Sequence, residues 1–209
     1  VARAREDGMA AGQEQLERNG VLLLAVLAPA AAGLWAISDP LVERMVAAPF
    51  REMTAAVLPW AILAGAVRNL RIHFGEQVFL LHEQTRIPLA NDVFDGLTTL
   101  IGGAVGLSIA GLPGSVAGAA VGAIASLLIT LACGAYWHRY GLPLGHLARI
   151  MIATLAMVGA LHFLPVSASV PSLVMAVMAG ALVYGFALAA LYPGEIATVV
   201  AKLRGLRQA

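Results

Sequence analysis

Five side chains carry the chemistry this sequence offers at membrane depth: Arg68 and Arg71, then Asn91, Asp92 and Asp95. The two arginines are three residues apart, and Asp95 follows Asp92 by three and Asn91 by four, so each group shares one helix face. Paired guanidiniums one turn apart present bidentate donors suited to a phosphate or diphosphate. Ionisable residues inside a membrane are expensive and carry a functional hypothesis by default. The same residues have plainer readings. Arginines at the end of a span snorkel to the interface and set topology, and Asn91 with Asp92 near a helix start complements its positive end. If that helix begins near Pro88, Asp95 lies roughly 10 Å along it, past capping range. A contact between Arg68 or Arg71 and Asp92 or Asp95 would serve as a gate or as a fixed staple.

The elements that must position these residues are six apolar stretches, at 21–37, 54–72, 88–110, 115–137, 147–164 and 171–191. At ~1.5 Å per residue they span roughly 26 to 35 Å, the thickness of a hydrocarbon core. Alternating crossings place 11 of the 13 Lys and Arg residues on one side and only Arg44 and Arg51 on the other. Lys and Arg are retained on the cytoplasmic side, so both termini are predicted to be cytoplasmic. The expected architecture is all-α: an integral bundle of six transmembrane helices.

Composition points the same way. Residues are 60% apolar and 12% charged, with a mean hydropathy of +0.83, against about 25% charged in soluble domains. A formal net charge of +1 leaves no basic surface for nucleic acid. Cys133 is the single cysteine and reads as a small packing residue, so no intramolecular disulfide is encoded. The five histidines show no metal-ligand spacing, and His162 reads as a structural group inside the fifth span. No GxSxG, HExxH or P-loop motif occurs, so the sequence supports neither an enzyme nor a cofactor.

Along the chain, residues 1–20 are polar and read as the end of a cytoplasmic loop, with an upstream part preceding Val1. The lobe itself is 21–192. Ser38-Asp39-Pro40 reads as the start of a short amphipathic helix on the extracytoplasmic surface, ended by Pro49. Residues 68–77 are the densest polar cluster, and the helix is expected to continue past Ile72 towards Thr85. Gly111-Leu112-Pro113-Gly114 predicts a hairpin between spans three and four. Gly102 and Gly106 on one arm, with Gly114, Gly118 and Gly122 on the other, allow close helix packing. Tyr136, Trp137 and Tyr140 form an interfacial aromatic belt. Residues 193–209 read as an amphipathic cytoplasmic tail resting on anionic lipid.

Three segments carry a resemblance. They are Ala47-Ala48-Pro49-Phe50-Arg51-Glu52 ahead of Ala55-Ala56-Val57-Leu58-Pro59; Phe79-Leu80-Leu81-His82-Glu83-Gln84-Thr85-Arg86; and Ile109-Ala110-Gly111-Leu112-Pro113-Gly114-Ser115-Val116-Ala117-Gly118-Ala119-Ala120. Together with the order of elements, the chain resembles the C-terminal half of Wzx-type polysaccharide flippases, in the multidrug/oligosaccharidyl-lipid/polysaccharide exporter superfamily. The resemblance implies one lobe of a two-lobe transporter in a bacterial cytoplasmic membrane, working by alternating access. Its cargo would be a lipid-linked oligosaccharide for polysaccharide biosynthesis. Its partners would be an N-terminal lobe of the same protein, membrane lipids and polysaccharide assembly enzymes. Arg68 and Arg71 would bind the diphosphate headgroup, with Asn91, Asp92 and Asp95 as gating or ion-coupling residues. Another exporter of the superfamily, for drugs or a peptidoglycan lipid precursor, and a non-transporting membrane subunit or enzyme are the alternatives.

Overall fold

A computed structural model of the chain describes residues 9–138 and 143–193. Every regular element among them is helical: α1 (Met9–Ala36), α2 (Ser38–Met45), α3 (Arg51–Leu70), α4 (Gln77–Leu81), α5 (Arg86–His138), α6 (Leu144–His162) and α7 (Val170–Leu191). A 3-10 turn, Ala48–Phe50, precedes α3, and a π-helical turn, Arg71–Gly75, follows it. Five helical segments are long and apolar enough to cross a membrane. The longest, α5, has 53 residues and bends at Ala110 (φ −139°) and Gly111 (φ 64°, ψ −150°). Gly111 supplies the left-handed φ that a side chain resists, and Pro113 sits in the first turn of the second arm, where its missing N–H costs little.

The two arms of α5 run antiparallel in one register. A β-carbon on Gly106 would lie 1.9 Å from the Gly114 carbonyl oxygen, one on Gly102 2.3 Å from that of Gly118, and one on Gly122 2.5 Å from that of Thr98. Backbone therefore touches backbone along the hairpin, as the glycine spacing predicts. In lipid, where apolar burial between helices gains little, such contact is a principal source of association.

The remaining helices pack in a row: the α5 hairpin on α3, α3 on α1, α1 on α6, and α6 on α7. α1 thus borders two apolar clusters. Near its start, Leu16 is buried with Phe74, Val78, Phe79 and Leu81 of the π turn and α4. Near its end, Ile37 packs with Met157 and Leu161 of α6 and Ala176 of α7. The Tyr184 hydroxyl donates to the Ala25 carbonyl at 2.7 Å and ties α7 to α1. Outward side chains such as Val26 (70% exposed) and Phe186 (74% exposed) are what a lipid-facing surface requires.

Several boundaries move. α1 begins at Met9, so the described part of the 1–20 stretch is helix continuous with the first span. Burial of Leu16, five residues ahead of Val21, accounts for the extension. α2 starts at Ser38 with Asp39 in its first turn and no side-chain cap. His162 is the last residue of α6, exposed, with its ring edge-on to Phe163; it stands at the end of a membrane-length helix rather than well inside it. Helix continuation beyond Ile72 is observed, by way of the π turn. Arg139, Tyr140 and, past Pro193, the amphipathic tail lie outside the described residues.

The hairpin yields a contrast between glycines. Gly118→Ala forces its backbone contact open and is expected to lower the melting temperature in detergent. Gly185→Ala in α7 meets nothing within 4 Å and should leave it unchanged or raise it, since alanine is the better helix former by about 1 kcal/mol. Equal melting of the two variants would remove the hairpin contact as a stabilising feature.

A charged cluster between α3 and the α5 hairpin

The residues singled out by sequence meet across one helix pair. Arg68 Nε lies 3.1 Å from Asp95 Oδ2, and its Nη2 donates to Thr99 Oγ1 at 2.7 Å. Arg71 Nη2 donates to Asp92 Oδ1 at 2.8 Å, and its Nη1 pairs with Glu76. A contact between the arginines and the aspartates is present twice over. Arg68 comes from the last turn of α3, Arg71 opens the π turn that follows it, and the aspartates come from the first arm of α5.

The helix geometry explains each position. α5 starts at Arg86, so Asp92 is already in its second turn, and Asp95, nine residues on, is about 14 Å along the axis at ~1.5 Å per residue. Neither carboxylate caps the helix; both are spent on guanidiniums. Asn91 shares the Asp95 face and is buried, with its Nδ2 unpartnered.

The π turn makes the second pair possible. In an α-helix, residues three and four apart are neighbours and residues five apart are not. Here the Glu76 N–H donates to the Arg71 carbonyl at 2.9 Å, an i to i+5 bond, which brings position 76 beside position 71. π turns of this kind are frequent at functional sites. The turn is held by its surroundings: Phe74 joins the Leu16 cluster, and Gly75 passes so close to α5 that a β-carbon there would sit 3.0 Å from the Thr130 methyl.

The two arginines differ in environment. The Arg71 side chain is 3% exposed and its partners Glu76 and Asp92 are 7% and 59% exposed; the Arg68 side chain is 32% exposed against 13% for Asp95. Burial without partners would be prohibitive for Arg71, and two carboxylates answer it. These five groups carry two positive and three negative formal charges, so in this arrangement the arginines are already compensated. The Nε of Arg71 and Oδ1 of Asp95 are buried without a partner.

Sequence reasoning left Glu76 and Thr99 out of the site. Thr99 carried a usable signal, since it follows Asp95 by four. Glu76 lay within the polar 68–77 cluster, but its spacing of five hides it from α-helical periodicity. Histidines also meet away from the site. His82 and His138 stack with centroids 3.9 Å apart, and His138 Nε2 is 2.9 Å from Gln84 Oε1. Among the described residues, no group of three or more His, Cys, Asp or Glu side chains could hold a metal. A separate apolar cleft of about 500 Å³ lies between α1, α6 and α7, lined by residues including Pro29, Gly33, Met157, Leu161, Gly180 and Tyr184.

Removing Arg71 should expose its role. Arg71→Met leaves Glu76 and Asp92 uncompensated and is expected to destabilise by about 3–5 kcal/mol, with part of that recovered when Glu76→Leu and Asp92→Asn are added. Melting in detergent checks this; a single variant as stable as the parent would contradict it. Comparison of the chain with protein-family models, with curated proteins and with solved structures finds no match in any of the three.

Proposed function

We propose that this chain is a lobe of a multi-pass membrane transporter that moves lipid-linked oligosaccharide across a bacterial cytoplasmic membrane by alternating access. The observation that carries the reading is the charged cluster: five ionisable side chains paired between two membrane-length elements, in a chain whose surface is otherwise largely apolar. Ionisable groups there mark ion or substrate paths, and pairs between neighbouring helices are the kind of contact a moving lobe makes and breaks. Counting each arm of α5 as one crossing gives six, with both termini cytoplasmic and the cluster towards that face. The resemblance to Wzx-type flippases supplies the cargo class. On this reading Asp92 and Asp95 form a gate with Arg71 and Arg68, and an arriving anionic headgroup competes with a carboxylate for a guanidinium.

The apolar cleft favours a second reading. Its volume falls within the roughly 300–1,000 Å³ of small-molecule sites, and its lining suits an apolar compound. An exporter of drug-sized molecules would use that cleft as its cargo site and the charged cluster only as a gate.

The two readings separate in cells. Expressed in a strain lacking its oligosaccharide flippase, the gene carrying this chain should restore surface polysaccharide. Good membrane expression with no rescue, and with reduced sensitivity to apolar drugs, would replace the first reading by the second. Topology is tested alongside in a Cys133→Ser background. Glu43→Cys should react with a membrane-impermeant maleimide in intact cells, whereas Glu83→Cys should react only after permeabilisation; the reverse pattern would overturn the orientation.

A further inference from the structure

A second polar cluster stands at the end of the α6–α7 pair that the proposed topology turns to the cytoplasm, and its charge is of the opposite sign. Beyond Asp95 the sequence holds one acidic residue, Glu195, against five basic ones, Arg139, Arg149, Lys202, Arg204 and Arg207. Arg149 is exposed, and its guanidinium carbon lies 4.9 Å from the centroid of the Tyr192 ring. Among the described residues no carboxylate pairs with it. The His146 ring is within 17° of parallel to the Tyr192 ring, and its Nδ1 is 2.8 Å from the Tyr192 hydroxyl, which leaves Nε2 for a further partner. An arginine laid over an aromatic face keeps its N–H fork available to an anion.

The apolar cleft lies along the same two helices, deeper in the membrane. Counting back from Tyr192 to Tyr184 on α7, and forward from His146 to Met157 on α6, the cleft begins about 12 to 16 Å below the cluster at ~1.5 Å per residue. Its lining is unusually poor in polar groups. Pro29 has no N–H, so the Ala25 carbonyl four residues earlier lacks its helical donor, and the Tyr184 hydroxyl takes that role at 2.7 Å. Tyr184 supplies the only side-chain oxygen or nitrogen of the lining, and with it engaged an occupant meets hydrocarbon alone. Drug-sized ligands are oriented by a few placed polar groups; an acyl chain needs none. Val26 and Val177 of the lining are 70% and 57% exposed, so the cleft opens on the lipid-facing surface. One leaflet with its headgroups is about 20 Å deep, half of the bilayer, so a lipid whose phosphate meets Arg149 carries its chain ends to the cleft.

We propose that the α6–α7 groove binds one anionic phospholipid as a resident ligand, with Arg149 and His146 Nε2 on the phosphate and an acyl chain in the cleft. The cytoplasmic leaflet supplies such lipids. The inference goes beyond both transport readings and requires neither.

Native mass spectrometry of the full chain in detergent tests this with three probes: dioleoyl phosphatidylglycerol, dioleoyl phosphatidylcholine and soluble glycerol phosphate. The parent should prefer phosphatidylglycerol to phosphatidylcholine by about fivefold, the worth of one basic residue against an anionic lipid. Arg149→Gln should abolish that preference and leave phosphatidylcholine binding unchanged. Arg86→Gln removes an exposed cation at the start of α5, away from the groove, and should keep the preference. Ala181→Phe fills the cleft from an exposed position and should lose retention of both lipids alike. Melting temperatures without added lipid are measured in parallel; should Ala181→Phe fail to fold, Ala30→Phe fills the cleft from α1 instead. Equal retention of the two lipids by the parent, equal losses in Arg149→Gln and Arg86→Gln, or undiminished retention by the cleft-filled variant would overturn the proposal. Displacement of phosphatidylglycerol by glycerol phosphate would overturn it too, by making the site one for a soluble anion.

Discussion

The buried guanidinium of Arg71 constrains more of this molecule than any other single group. A permanent cation removed from water must be surrounded by carboxylates or backbone oxygens, and the chain meets that demand by distorting a helix. The π turn at Arg71–Gly75 brings Glu76 beside Arg71, and Asp92 reaches it from the first arm of α5. The same turn presents Phe74 to α1 and lays Gly75 against Thr130 on the second arm of α5. One turn therefore joins α1, α3 and both arms of the hairpin. Its charged side and its apolar side are satisfied by different neighbours, so neither can shift without the other.

The hairpin provides the rigid counterpart. Its arms meet through backbone at Gly102, Gly106, Gly114, Gly118 and Gly122, and the Thr98 hydroxyl lies 3.2 Å from the Gly122 carbonyl oxygen. Close-packed backbones have few alternative arrangements, in contrast to long side chains that repack. Asp92, Asp95 and Thr99 are carried on a frame that holds their relative positions, while Arg68 sits on the neighbouring helix. Any rearrangement of the cluster is then a movement of α3 against the hairpin rather than a deformation of the hairpin.

Much of this was legible in the residues, for identifiable reasons. Apolar length marked every membrane-length helix, because a span must satisfy its backbone internally and present apolar side chains to lipid. The four-residue spacing of glycines located the hairpin contact, and Gly111 beside Pro113 located its bend. Spacings of three and four brought Arg68, Arg71, Asp92 and Asp95 to facing surfaces. What escaped was set by tertiary context. Glu76 joins Arg71 only because the helix widens to a π turn, which no α-helical period encodes. The helical stretch of α1 ahead of Val21 depends on Leu16 burying against Phe74 and Phe79, residues far along the chain. The stacking of His82 on His138 needs the end of α4 to meet the end of α5, a consequence of how the hairpin packs on the π turn.

The polar interior of the hairpin is incompletely paired. Contacts pair Gly106 with Gly114, Gly102 with Gly118 and Thr98 with Gly122, a register that carries Ser126 to the level of Phe94, between Asn91 and Asp95. Ser126 Oγ, Asn91 Nδ2 and Asp95 Oδ1 are all buried without hydrogen-bond partners. A buried polar atom without a partner costs about 1–3 kcal/mol relative to a paired one. A cluster with full mutual pairing would act as a staple and nothing more. This one has an enclosed half, at Arg71, and an incompletely paired half, at Arg68 and Asp95. On the transport reading proposed above, that asymmetry suits a gate, which needs one side that holds and one side that lets go.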